Sequence, residues 1–282
     1  MTNFIKKSFL FIFFFGMLGL LNYTAMLFYF RYVLLSQTLD DHIAIVGSSQ
    51  TRCALDDKAI SKKLKLEIVN YSNDAQSMFW TMINCKKLSD LGVKNYIIGL
   101  SNHSYITDWK SVDPLRSNKE MYNKFSLAWS DWIHLLKLDL FFSVRMFFAI
   151  DYPKKSIKGG FLKNHRDFNG KMIRENQERE KIFNPDFDDD IIHNFILNHP
   201  DHKFIFVRVP QHPNYYNKIS IENEPFFLSR FSKFEKYSNC KVLDFGHFLN
   251  EDSSFSDLGH LSAKGSYQFS KFMADSLDLL KF

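Results

Sequence analysis

From Ser8 to Phe30 the chain reads SFLFIFFFGMLGLLNYTAMLFYF, without one charged side chain. At a rise of about 1.5 Å per residue, a helix over this run crosses a hydrocarbon core of roughly 30 Å. Asn22 is its one strongly polar member, and a spanning helix tolerates a single amide. Lys6 and Lys7 precede the run, while Asp40 and Asp41 follow it. That bias predicts a cytoplasmic N-terminus and an outside location for everything after Arg31. The competing reading is a cleaved signal peptide, with an apolar region of about 7–15 residues ending in small residues. Here the run is longer and no such site is clear, which favours an uncleaved anchor. The expected division is a cytoplasmic tip and transmembrane anchor over 1–35, then an outer domain over 36–282, periplasmic or extracellular.

Of 282 residues, 36 are Lys or Arg and 31 are Asp or Glu. Residues 1–35 hold Lys6, Lys7 and Arg31 and no acid, so the outer domain keeps 33 basic against 31 acidic residues. A near-balanced domain lacks the concentrated basic face of a nucleic-acid binder. Cys53, Cys85 and Cys240 have no CxxC spacing, which excludes a zinc ribbon or a thioredoxin-type motif. An oxidising compartment allows a disulfide, and the odd count leaves at least one thiol free or paired between chains. Cys53 reads more simply as a small buried hydrophobe than as a reactive thiol. The sequence specifies no oligomeric state.

In the outer domain, short apolar runs alternate with helix-like stretches. The runs are His42–Gly47, Leu66–Asn70, Asn95–Leu100, Phe204–Pro210 and Lys241–Phe245. The helical stretches are Thr51–Leu64, Ala75–Leu91, Asp190–Asn198, Phe226–Tyr237 and Ser262–Leu280. Continuous apolar strands separated by helices predict βαβ units around a buried parallel sheet. The fold class is therefore α/β: a three-layer α/β/α sandwich with a five-stranded parallel sheet, preceded by one transmembrane helix. Ligands of such sheets bind beyond the carboxyl ends of the strands. An insertion at about 106–189 interrupts the rhythm between the third and fourth strands. Its aromatic segment Phe125–Ile150 carries Lys137, Asp139 and Arg145, which argue against a second span. It reads as a helix packed on the domain, a lid, or a membrane-surface helix. The polar stretch Asp151–Glu180 reads as a mobile loop.

Two motifs carry chemistry. Gly47-Ser48-Ser49 stands at the carboxyl end of the first strand, where a serine hydroxyl projects above the sheet edge. Backbone N–H groups of such a turn can face a developing oxyanion. A helix N-cap role would explain a serine there equally well. Near the other end of the chain, Ser256-Asp257-Leu258-Gly259-His260-Leu261-Ser262 precedes the last helix. A serine nucleophile needs a base, and the base needs a carboxylate to fix its tautomer. An Asp three residues before a His delivers both from one turn.

Together the motifs resemble the SGNH, or GDSL-like, hydrolases, and within them the membrane-anchored cell-envelope branch. Gly47-Ser48-Ser49 matches the family's Gly-Asp-Ser block, with Ser48 where Asp is usual and Ser49 as nucleophile. Asp257 and His260 match its Asp-x-x-His block in type and spacing. The resemblance spans residues 42–282 and implies flavodoxin-like topology. It also implies an oxyanion hole from the Ser49 N–H, the Asn102 amide after the third strand and the Ala75 N–H after the second. The family normally has Gly at that last place, and Val69-Asn70-Tyr71-Ser72-Asn73-Asp74-Ala75 holds none. Acyl transfer is thus the expected reaction, with catalytic residues Ser49, Asp257 and His260 and no metal or organic cofactor. The branch implies a membrane-anchored esterase or O-acyltransferase acting on acyl groups, acetyl foremost, of envelope polysaccharide. The residues themselves do not specify that substrate, nor whether water or a sugar hydroxyl accepts the acyl group. The alternative is a catalytically inactive relative that binds glycan or scaffolds an envelope assembly. A third reading, an anchored lipid hydrolase, would use Phe125–Ile150 to meet the bilayer.

Other candidates rank lower. Val209-Pro210-Gln211-His212-Pro213 reads as a rigid Pro-bounded loop at the active edge. His193, His199 and His202 cluster without a helical i, i+4 pair, a poor metal spacing. Asp188-Asp189-Asp190 reads as a helix start.

The membrane orientation has a direct check. Protease added to intact spheroplasts should digest the part after Arg31. Protection that persists until the membrane is opened would reverse the assignment.

Overall fold

The computed structural model describes residues 2–29, 39–74, 76, 78–101, 104, 161–166, 168, 190–218 and 223–280. Helix α1 spans Thr2–Tyr29 and begins before the uncharged run, so Lys6 and Lys7 lie inside it. Its window Phe4–Leu21 has a mean hydropathy of 1.9 and is only 6% buried. Most of its described phenylalanine and leucine side chains are exposed. Thr24 returns its hydroxyl to the Leu20 carbonyl at 2.8 Å, which satisfies a polar group without water. This helix is long and apolar enough to cross a membrane.

Residues Leu39–Asp113 and Ser156–Phe282 form a separate compact unit. Its strands are β1 (His42–Val46), β2 (Glu67–Asn70), β3 (Asn95–Leu100), β4 (Lys203–Arg208) and β5 (Cys240–Asp244). All neighbours pair in parallel, in the order β2-β1-β3-β4-β5. This is the flavodoxin-like order, with its switch point between β1 and β3. The helices are α2 (Ser49–Ala54), α3 (Asp57–Leu64), α4 (Met78–Asp90), α5 (Asp190–Asn198), α6 (Pro213–Lys218), α7 (Glu224–Ser232) and α8 (Ala263–Leu279).

Alternation along each strand divides the core into two layers. Ala44, Val46, Tyr96, Ile98, Phe204 and Phe206 face one side, with residues of α4, α5 and α7. Ile43, Ile45, Ile97, Ile205 and Val207 face the other, with residues of α2, α3 and α8. Both faces being covered explains why the strands read as unbroken apolar runs. The three-layer α/β sandwich expected from the sequence is the observed fold.

Two local differences have physical causes. The stretch expected as one helix over Thr51–Leu64 is broken at Leu55-Asp56. There Asp56 accepts the Ala59 N–H at 3.1 Å and starts α3 anew, while its own N–H goes to Ser270 Oγ at 2.8 Å. A short carboxylate favours the cap over the helix interior. The Pro-bounded loop after β4 continues into α6, with Pro213 as its first residue, a position that needs no N–H donor.

Phe206 is fully buried in β4 and stacks on Phe234 with ring centroids 4.2 Å apart. Truncating Phe206→Ala should cost about 3–5 kcal/mol, read as a lowered denaturation midpoint of this unit. A change below about 1 kcal/mol would mean that the layer repacks around the gap.

Candidate active site

The switch point sets the site. Beyond Val46 the backbone turns at Gly47, whose φ is +156°, and a side chain there would overlap Thr51 and come within 2.9 Å of the Gly99 carbonyl. A side chain at Gly99 would collide with Thr51 as well. The two bare backbones let Thr51, 1% exposed, sink between β1 and β3 and seat the first turn of α2 on the sheet edge. Ser48 is the N-cap residue but makes no side-chain cap bond. Ser49 is the first residue of α2, so its N–H has no acceptor within the helix.

Ser49 Oγ lies 2.8 Å from His260 Nε2. On the other side of the ring, His260 Nδ1 is 2.9 Å and 3.0 Å from the two Asp257 oxygens. The structure thus brings together the three residues expected to act as nucleophile, base and carboxylate. It is Ser49 rather than Ser48 that faces the imidazole. The His260 and Asp257 side chains are 29% and 28% exposed, so the constellation is open to a substrate. With Nδ1 donating to the carboxylate, Nε2 is free to accept the serine proton.

Asp257 is held by its own turn. Its Oδ1 accepts the N–H groups of Gly259 at 2.8 Å and His260 at 2.9 Å. Burial alone would push this carboxyl up. The hydrogen bond and charge of His260, with the two backbone donors, outweigh it and hold Asp257 below the ordinary carboxylate range. Gly259 also leaves room for Gln50: a side chain there would meet Gln50 Nε2 at 2.8 Å.

The loop after β2, which the family resemblance ties to the oxyanion hole, is stitched to the serine turn. Tyr71 N–H donates to Ile45 O at 2.7 Å and Asn73 N–H to Gly47 O at 3.1 Å. Arg52, one helical turn beyond Ser49, pairs with Asp74 at 2.6 Å. Ala75 and Asn102, the other two expected oxyanion donors, lie outside the described residues. So does the segment Phe125–Ile150. Of the stretch expected as a mobile loop, residues 161–166 and 168 are described, and they are pinned: Leu162 N–H donates to Arg52 O at 3.1 Å, and Phe168 stacks on His212 at 4.6 Å.

His212, expected in a rigid Pro-bounded loop at the active edge, is tied to the Asp257–His260 turn by contacts the sequence did not specify. Its backbone N–H donates to the Leu258 carbonyl, inside the Asp257–His260 turn, at 3.1 Å. Its Nδ1 accepts from the Asn214 N–H at 3.1 Å, which leaves the proton on Nε2 facing Asp252 Oδ1 at 2.8 Å. No spacing rule would have paired His212 with Leu258, because the loops after β4 and β5 become neighbours only in the folded sheet.

The remaining candidates have structural partners. His193 bonds Tyr237, His199 the Phe195 carbonyl, and His202 both Ser89 and Asp201. Among the described residues no group of three or more His, Cys, Asp or Glu is placed to hold a metal ion. The three cysteines are buried and unpaired as disulfides. Burial, aided by the nearby Asp74, pushes the Cys53 thiol up to about 12, which makes it a poor nucleophile despite its place in α2.

No protein-family model matches the chain, and no curated protein matches it. Among solved structures, a Streptococcus pneumonia protein named for platelet activating factor aligns with a TM-score of 0.43 and 10% sequence identity. The alignment covers 94% of this chain and 97% of that one. The reading of the site therefore rests on the geometry of Ser49, His260 and Asp257.

Asp257 also sets an acid limit. Its folded-state carboxyl titrates below the unfolded value of about 3.9, so its stabilising contribution is complete above that value and lost as pH falls through the folded one. The gap in melting temperature between wild type and Asp257→Asn should be open near neutral pH and close below about pH 4. A gap that persists unchanged at about pH 3 would show that ionised Asp257 does not hold this loop.

Proposed function

We propose that the chain is a membrane-anchored serine esterase or O-acyltransferase of the SGNH type, acting on acyl groups of cell-envelope polysaccharide. The observation that carries the reading is the continuous hydrogen-bonded path from Ser49 Oγ through the His260 ring to Asp257. Ser49 Oγ attacks the ester carbonyl carbon as His260 Nε2 takes its proton. The carbonyl oxygen becomes an oxyanion facing the Ser49 N–H, with the Asn102 amide and the Ala75 N–H as the further proposed donors. The intermediate collapses, the C–O bond to the leaving alcohol breaks, and His260 returns the proton to that alcohol. The acyl group now sits on Ser49. Water or a sugar hydroxyl gives its proton to His260 and attacks the acyl carbon; the bond to Ser49 Oγ then breaks and His260 returns that proton to the serine oxygen. Water makes the chain an esterase and a sugar hydroxyl makes it an acyltransferase. Neither half-reaction requires a metal or an organic cofactor. The exposed apolar helix α1 supports the anchoring, and an outer orientation would put the site among envelope glycans.

Ser49→Ala should abolish labelling by a fluorophosphonate probe and nearly all hydrolysis of a short acyl ester. Asp257→Asn should keep the fold and lower kcat by roughly 10⁴-fold through the wrong His260 tautomer. The natural substrate class is tested in cells, where wild type and Ser49→Ala should leave different acyl patterns on the envelope glycan. Identical patterns, together with no labelling of the wild type above the Ser49→Ala control, would replace catalysis with the glycan-binding reading.

A further inference from the structure

The turn that carries Asp257 and His260 is closed at its base by a short antiparallel bridge. Phe255 pairs with Leu261, and Ser256 N–H donates to the His260 carbonyl at 2.9 Å. The Ser256 hydroxyl donates to the same carbonyl at 3.2 Å. That hydroxyl has one proton, so a second partner must donate to it. The partner is Asn164, whose Nδ2 lies 2.7 Å from Ser256 Oγ. Asn164 comes from the insertion between β3 and β4, almost a hundred positions away in sequence. Its backbone carbonyl also accepts the Ala263 N–H at 2.7 Å, just past the turn. Its Oδ1 accepts the Arg166 N–H at 3.2 Å, which sets which end of the amide faces Ser256. Two residues earlier, Leu162 is bonded to Arg52 of the nucleophile helix.

We propose that Asn164 is a positioning residue for the base: it polarises a relay from its amide through the Ser256 hydroxyl to the His260 backbone carbonyl. The relay has a direction. Asn164 donates, Ser256 accepts and donates onward, and His260 O receives two hydrogen bonds that fix the height of its ring over Ser49. Segment 161–166 thereby ties both halves of the site together, with Leu162 on the serine helix and Asn164 on the base loop. This inference rests on the serine-nucleophile reading above and assigns a role in it to the insertion.

Polarity separates this role from simple packing. Asn164→Asp keeps the shape but offers only acceptors, so the Ser256 hydroxyl turns toward residue 164 and releases the His260 carbonyl. Asn164→Ala removes the donor and leaves the backbone bond to Ala263. The measurement uses the full chain in detergent micelles: the fluorophosphonate labelling rate of Ser49, kcat and KM on a short acyl ester, and the melting temperature. Both variants should label and turn over roughly ten- to a hundredfold more slowly, with KM within about twofold, because the reacting atoms are misplaced rather than the substrate lost. Melting temperatures should stay close to wild type. Wild-type rates in Asn164→Asp would overturn the inference while leaving the serine mechanism standing. Losses that track a lost melting transition in both variants would also overturn it, by making Asn164 structural. A wild-type protein that fails to label above Ser49→Ala would remove the mechanism itself, and the inference with it.

Discussion

Ser49 and His260 are 211 positions apart, and the parallel sheet is what closes that distance. When every strand runs the same way, each connection must return across a face, and every carboxyl end opens on one edge. The serine turn, the loop after β2, His212 and the Asp257–His260 turn therefore meet on that edge. At the boundary between β1 and β3 the connections leave toward opposite faces, which opens the crevice that α2 fills. Gly47 and Gly99 make this possible by letting Thr51 lie against bare backbone. The site is thus a consequence of topology, refined by two missing side chains.

The same edge is where the interior stops being apolar. Among the described residues, Gln50 Oε1, Ser72 Oγ, Asn73 Oδ1, Gln76 Nε2 and Ser101 Oγ are buried without a hydrogen-bond partner. All five follow β1, β2 or β3 at their carboxyl ends. Each such group costs about 1–3 kcal/mol relative to a satisfied one, so their concentration in one place is not neutral for stability. At the end of β4 the compensation is partial, since Arg208 Nε and Gln211 Nε2 are also buried without a partner. Arg208, fully buried at the end of β4, pairs with Glu224 and Asp244 and lies between the rings of Tyr216 and Phe227. Unpaired buried groups thus follow β1, β2, β3 and β4 alike, while the Arg208 guanidinium keeps two carboxylate partners.

Layering was legible because both-face burial leaves a continuous apolar signature. The run Asn95–Leu100 is β3 to the residue, and the other four strands deviate by one or two positions. Asp257 and His260 were legible because one turn carries both. Ser49 was legible only as half of a pair, since a serine after a strand is an ordinary cap until a base faces it. Other features were not readable. The break at Leu55-Asp56 depends on Ser270 of α8 receiving the Asp56 N–H, a contact no local pattern encodes. His212 and Asn164 are ordinary loop residues in sequence, and their importance comes from hydrogen bonds to Leu258 and Ser256 across the fold. The polarity of Asp151–Glu180 suggested a loop but not where its Asn164 would dock.

A base loop of only four residues raises a mechanical question. Asp257 accepts the N–H groups of Gly259 and His260 as well as the imidazole proton, so the carboxylate and the ring are tied together within one turn. For the proposed mechanism, what matters is the placement of the whole turn relative to Ser49. Three separate contacts hold it: His212 N–H on Leu258, Asn164 on Ser256 and Ala263, and Ser262 Oγ on the Ser253 carbonyl at 2.8 Å. They arrive from the loop after β4, from the insertion and from the chain just before the turn. Because they pull from different elements, the loss of one shifts the turn without releasing it. In the proposed mechanism a misplaced but intact turn would slow proton transfer while leaving the fold in place, and that separation between rate and stability would distinguish positioning residues from the core.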